Sequence, residues 1–164
     1  MKISPKFIIV LTAALRVIIG AALYVYSSNS EDTDGRTLAI YSDGEKVTEY
    51  SLSELMKLES ETVYAEIHSS GSADEEGEYE GVRLSELLES AGVGEYETAV
   101  LTAGDGYSSA AKASEADDVL IAYSKDGETL GYYTSGGSGP IRAVFLEDAY
   151  GNRSVMYLIK ISCK

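Results

Sequence analysis

Cysteine, histidine, tryptophan and basic side chains are scarce in this chain of 164 residues, and each shortage removes a class of protein. A single cysteine, Cys163, rules out a disulfide framework. With His68 as the only histidine, a cysteine-rich zinc site and an ordinary Cys-His catalytic pair both lack parts. Lysine and arginine number 13 against 27 aspartates and glutamates, a formal net charge of −14, so the basic footprint of a nucleic-acid binder is missing and no nucleic-acid partner is expected. What is present, 45% hydrophobic and 24% charged residues with 16 glycines, suits one compact domain with a tail.

The charge is unevenly spread. Residues 1–30 hold Lys2, Lys6 and Arg16 and no acidic side chain, whereas residues 31–164 carry 10 basic and 27 acidic ones, a net of −17. Within the first segment, FIIVLTAALRVIIGAALYVY (7–26) has one charge in twenty residues, the length a helix needs to cross roughly 30 Å of hydrocarbon. Arg16 opposes insertion by roughly 2.5–3.5 kcal/mol at mid-span, which its apolar neighbours outweigh. The run therefore predicts one N-terminal transmembrane helix, with the membrane as a partner through residues 7–26. Tyrosines stand where a signal peptidase needs small residues, which favours an uncleaved signal anchor over a secreted product. No cysteine follows the run, which excludes a lipoprotein anchor. Lys2 and Lys6 orient the N-terminus to the cytoplasm and the acidic body to the extracytoplasmic side. Residues 31–36 read as a polar tether and 37–164 as the body.

The body reads as β-rich with short covering helices. TLAIYS, Asp43-Gly44 and KVTEYS predict a hairpin; so do VLIAYS, Lys125-Asp126-Gly127 and ETLGYY. A third is expected from RAVFLED through Tyr150-Gly151-Asn152 to SVMYLIKI. Further strands are expected at 61–68 and 97–103. Residues 50–60 and 82–92 each combine a capping serine (Ser51, Ser85) with leucines at helical spacing. The run ADEEGEYE (73–80) reads as a solvated acidic loop, since it lacks the spacing of a calcium-binding EF-hand.

Several of these pieces stand in a specific order: Gly-Val-Arg-Leu-Ser-Glu-Leu-Leu (81–88), Ala-Gly-Val (91–93), Ala-Gly-Asp-Gly-Tyr-Ser (103–108), Asp-Asp-Val-Leu-Ile-Ala-Tyr (117–123), Gly-Pro-Ile-Arg-Ala-Val (139–144) and a closing Ile-Lys-Ile. This order resembles the oxidoreductase molybdopterin-binding domain, the fold shared by sulfite oxidase and periplasmic methionine-sulfoxide reductases, over about residues 38–162. The resemblance implies a mixed α+β, mainly β architecture. It also implies that catalytic members hold molybdenum through a cysteine thiolate on the segment after the strand corresponding to 61–68. This chain has Ile67-His68-Ser69-Ser70-Gly71 there. An imidazole or hydroxyl is no simple substitute for a soft thiolate donor. Molybdopterin thus enters through the resemblance alone, and no cofactor or metal is expected.

The candidate cleft residues are His68, Ser69, Asp105, Tyr107, Ser135, Gly136, Gly137 and Arg142, with no catalytic residue assignable. His68 is the one side chain that titrates near neutral pH, although a strand-end histidine is ordinary; Ser69 has no base beside it. The turn GDGYSS (104–109) offers backbone amides and the Tyr107 hydroxyl, or simply ends a strand. The glycines of TSGGSGP (134–140) permit close backbone approach to an anion, or make a plain connection. Arg142 attracts anions or pairs at a strand edge with one of the many carboxylates. The resemblance implies that His68, Ser69, Tyr107 and the loop 135–139 line one concavity. The expected function is a membrane-anchored, non-catalytic module that binds a small ligand or a protein; the alternatives are a molybdopterin-dependent oxidoreductase with a non-cysteine ligand set and a structural envelope or adhesion domain.

Overall fold

A computed structural model describes residues 37–67, 74–132, 138–148 and 152–164, all within one unit of the chain, residues 32–164. The first predicted hairpin is present as β1 (Thr37–Ser42) and β2 (Glu45–Ser51), joined through Asp43 and Gly44, both at positive φ. β3 (Glu61–Ile67) and β4 (Glu75–Arg83) follow, then β5 (Thr98–Ala103), β6 (Ser108–Lys112), β7 (Val119–Lys125), the two-residue β8 (Glu128–Thr129), β9 (Arg142–Phe145) and β10 (Leu158–Cys163). Two short helices, α1 (Leu52–Leu55) and α2 (Leu84–Ser90), and a 3-10 helix (Ala113–Asp118) complete the described elements. None of these helices is long and apolar enough to cross a membrane, and the 7–26 run lies outside the described residues.

The strands make two sheets. One runs β2-β1-β10-β5-β6, with β1 and β10 parallel and the other pairs antiparallel. The other runs β3-β4-β7, with β8 and β9 both pairing with β7. α1 begins where Ser51 donates its backbone N–H to the Glu54 carboxylate at 2.8 Å, the capping arrangement expected. The second helix differs from expectation: Arg83 stands at the N-cap position without a side-chain capping bond, while Ser85 donates its hydroxyl to Asp117 and ties α2 to the 3-10 helix.

Two further readings are corrected. The acidic run is a strand, because its charges fall at alternate positions: Glu76 and Glu78 face solvent while Gly77, Tyr79 and Gly81 face inward. The third hairpin does not form as a ladder. Among the described residues β9 pairs with β7 and forms one isolated bridge with the following segment, Ala143–Val155, and β10 crosses to the other sheet, where it lies between β1 and β5.

The main core draws on both sheets and α2, including Leu38, Ile40, Leu87, Leu101, Ile121 and Ile161. A smaller cluster, Ala65, Ile67, Tyr79, Leu120, Ala122 and Val144, packs on the other face of β7 and β9. β7 is consequently buried on both faces, which explains its unbroken run Val-Leu-Ile-Ala-Tyr. β4 can lie against it because Gly81 has no side chain: a Cβ there would sit 2.3 Å from the Ile121 carbonyl oxygen. Gly81→Ala should therefore destabilise the fold by about 1–3 kcal/mol in denaturant titration. Gly94→Ala, at a site with open space around its Cβ, should change stability by less than about 0.5 kcal/mol.

Candidate functional site

Two contact clusters occupy the region to which the sequence pointed. The first gathers at Tyr157, a buried non-glycine residue at φ +56. Its N–H donates to the Ser138 carbonyl at 2.6 Å and its carbonyl accepts from Gly104 N–H at 2.8 Å. A Cβ on Gly104 would fall 2.4 Å from the Tyr157 ring, and one on Gly139 would fall 2.6 Å from its Cα. Both glycines are thus required by close approach, and they bring the 103–107 turn and the 138–141 segment onto one residue. Within that turn Asp105 accepts the Tyr107 N–H at 2.9 Å, a turn-forming role. The Tyr107 hydroxyl donates to the Asn152 carbonyl, with the residue 45% exposed.

The second cluster is electrostatic. Arg142, at the start of β9, pairs with a carboxylate as one of its two readings had it, but at only 4% exposure it does so beneath the surface. Alternation places it on the same face as Val144, over the smaller core. Its Nη1 donates to Glu75 Oε2 at 2.8 Å, while Lys125 Nζ at 3.1 Å and the Tyr79 hydroxyl at 2.8 Å donate to Glu75 Oε1. Both cations also lie over the Tyr79 ring, 5.5 Å (Lys125) and 5.7 Å (Arg142) from its centroid. Partial burial alone would raise the Glu75 carboxyl, but Arg142 foremost, with Tyr79 and Lys125, overrides it and holds the group down at about 2. Burial, reinforced by the Glu75 carboxylate, pushes the Tyr79 phenol upward despite the opposing charge of Arg142. Gly77 keeps the approach open, since a Cβ there would meet Lys125 Cε at 2.6 Å.

The structure thus brings Asp105 and Tyr107 to the Tyr157 cluster and Arg142 to the carboxylate cluster, with residues 138–142 running from one to the other. His68, Ser69, Ser135, Gly136 and Gly137 lie outside the described residues. Glu75, Tyr79 and Lys125 were not anticipated as site residues. The available signal was Arg142 itself, a cation inside the apolar run Ile-Arg-Ala-Val-Phe, which demands a buried counter-charge. A cavity of about 630 Å³ lies beside Tyr96, Glu97, Ala113 and Lys164 and involves none of the candidates.

In fold, the structure matches the sulfane dehydrogenase SoxCD from Paracoccus pantotrophus with a TM-score of 0.67 at 20% identity, over 82% of this chain and 39% of that one. This chain therefore corresponds to well under half of that protein, and the likeness concerns fold. The sequence profile of the oxidoreductase molybdopterin binding domain matches residues 26–164, and the chain belongs to that family, with the mainly β, sulfite-oxidase-like fold. No curated protein sequence matches it.

The described residues do not supply the thiolate that molybdenum would take in the group for which the family is named. Cys163, the chain's one thiol, is buried in β10 between Ser42 and Ala99, and burial pushes it up to about 11, so it supplies no accessible thiolate. Among the described residues no three His, Cys, Asp or Glu side chains converge as metal ligands. The buried guanidinium already holds a carboxylate of the protein itself.

The Glu75 contacts carry a pH signature. A carboxyl at about 4.5 when free and about 2 when folded contributes stability that is complete above pH 4.5 and is lost as the pH falls toward 2. Glu115, held down to about 2 first by Arg153, acts in the same window. Thermal melts should fall between pH 4.5 and 2, and Glu75→Gln should flatten part of that fall; an unchanged slope would show that the pairing contributes nothing.

Proposed function

We propose that this protein is a non-catalytic binding member of the molybdopterin-binding oxidoreductase family, held at the membrane by residues 7–26 with its body on the extracytoplasmic side. The carrying observation is the donor set: the only thiol is sealed in the core of β10. A soft, strongly donating ligand is what an oxo-metal centre needs for redox chemistry, and the acidic chain offers hard carboxylates instead. A binding role draws further support from the exposed Tyr64, Tyr107, Tyr132 and Met156, residue types enriched where proteins recognise partners.

A second reading, an oxidoreductase with a non-cysteine ligand set, draws support from the family profile spanning residues 26–164. The two separate on protein purified from its own host and analysed for metal and pterin. The binding reading expects less than a tenth of an equivalent of molybdenum or tungsten and no pterin fluorescence after denaturation; stoichiometric metal with pterin would establish the oxidoreductase. Support for the anchor comes from the apolar run together with Lys2 and Lys6 before it. Protease added to intact spheroplasts should digest the body and leave a protected fragment of about the first thirty residues, as expected for one span of roughly twenty residues. Survival of the whole body would place it in the cytoplasm and overturn the topology.

A further inference from the structure

Among the described residues, every sheet edge but one is guarded. A straight, bare edge strand is a template for another chain, and proteins blunt such edges by shortening, bulging or covering them. β2 carries a register break against β1 between Ile40 and Tyr41. On β6 the Ala110 carbonyl accepts from Arg153 Nη2 at 2.7 Å. β8 has only two residues, and β9 is bridged through Ala143 to Val155. β3 has none of these devices. It pairs with β4 in unbroken register over all seven of its residues, and no described strand lies on its other side.

The side chains of this edge are of one charge. Ala65 and Ile67 turn toward the smaller core, so Thr62, Tyr64 and Glu66 take the wet face, and directly opposite them on β4 stand Glu80, Glu78 and Glu76. Tyr64 is 61% exposed, and its hydroxyl reaches across to Glu76 at 2.8 Å. Glu66 and Glu76 form a directly opposed like-charge pair, which destabilises a sheet. The cations of this region are committed elsewhere, Lys125 and Arg142 to Glu75 on the opposite face and Arg83 to Glu61. No ion pair among the described residues involves Glu66, Glu76, Glu78 or Glu80. These charges select what the edge can accept. Two copies joined β3 to β3 would bring two glutamate faces together, whereas a strand with cations at alternate positions would match them.

We propose that the free edge of β3 docks an extended, basic segment of another protein, which adds to the sheet as a strand beyond β3 and sets alternate lysine or arginine side chains over Tyr64 and Glu66. Main-chain hydrogen bonds supply the attachment, and the alternate side chains supply the choice of partner. A cation opposite Glu66 relieves its repulsion with Glu76, and one opposite Tyr64 meets the face of an exposed ring. The inference gives the binding role above a class of partner and rests on that role to this extent. Metal and pterin content test the role, and occupation of the β3 edge is measured separately, so each can fail without the other.

A synthetic peptide alternating lysine and threonine, long enough to span Glu61–Ile67, is titrated into the full chain in non-ionic detergent, with a glutamate-threonine peptide as control. The lysine peptide should bind and the control should not. Glu66→Lys combined with Glu76→Lys should weaken binding by about tenfold, as two surface ion pairs turn into repulsions. Both side chains are exposed, so the circular dichroism spectrum should be unchanged. The same charge change at Glu45 and Glu95, exposed residues of other elements, should alter affinity by less than about twofold at physiological salt. Hydrogen exchange supplies the signature of strand addition: the β3 amides that face away from β4 should slow by about tenfold or more with peptide bound. Failure of the lysine peptide to bind, equal losses in the two double variants, or binding that leaves the β3 amides unprotected would each overturn the proposal. So would protection of those amides in the chain alone that grows with protein concentration, which would assign the edge to a second copy.

Discussion

Burial of β7 and β9 on both faces is the constraint on which the rest of the body depends. A strand covered on one side only can place its polar residues toward water, but these two have no wet side, so they are apolar almost throughout. Of their two buried polar residues, Ser124 and Arg142, the arginine is the charged one, and the surroundings answer it. Glu75 begins the neighbouring strand within reach of the guanidinium, Lys125 ends β7 on the same carboxylate, and Tyr79 lays its ring beneath both cations. Removing one partner from such a group leaves an uncompensated charge in a poorly solvated place, which makes the set interdependent. The glycines of β4 belong to the same constraint, since Gly77 and Gly81 clear the space through which β7 and its lysine come close.

Viewed this way, the two clusters at this end of the body are different solutions to one problem, how irregular chain is held against a rigid sheet. At Tyr157 the means are steric: a left-handed backbone is held by hydrogen bonds to Ser138 and Gly104, and two glycines make room for it. At Arg142 they are electrostatic. The family's fold is retained in both, while the thiol that would suit a soft metal sits elsewhere, as a small packing residue in the middle of a sheet.

Much of this was legible along the chain. The Asp43-Gly44 hairpin and the capping pair Ser51 and Glu54 could be read because local chemistry determines them. The family order could be read because turns and helix starts are punctuated by glycine and serine. The destination of β10 could not, since a pairing with β1 more than a hundred residues away leaves no local trace. The acidic strand was hidden for another reason: five carboxylates from Asp74 to Glu80 suggest solvation, and the alternation that marks a strand is only apparent once Tyr79 is seen as the buried member. The pairing of Arg142 with a carboxylate was legible, but its burial was not, because a lone cation beside many carboxylates suggests the surface, whereas the apolar residues flanking it argued for the interior.

The position of β10 has a consequence for how the protein is made. The tenth strand lies at the centre of its sheet, between β1, whose pairing it completes in parallel, and β5. During synthesis the β3-β4-β7-β9 sheet can assemble before β10 emerges, whereas among the described strands β1 and β5 each keep one bare edge until β10 arrives. Such a half-built sheet displays unpaired backbone on both sides of an apolar gap, a template for misplaced strands. Its closure rests on contacts between residues about 120 positions apart, such as Ala39 with Lys160, the kind of non-local pairing that forms late and leaves a nascent sheet open to misassembly.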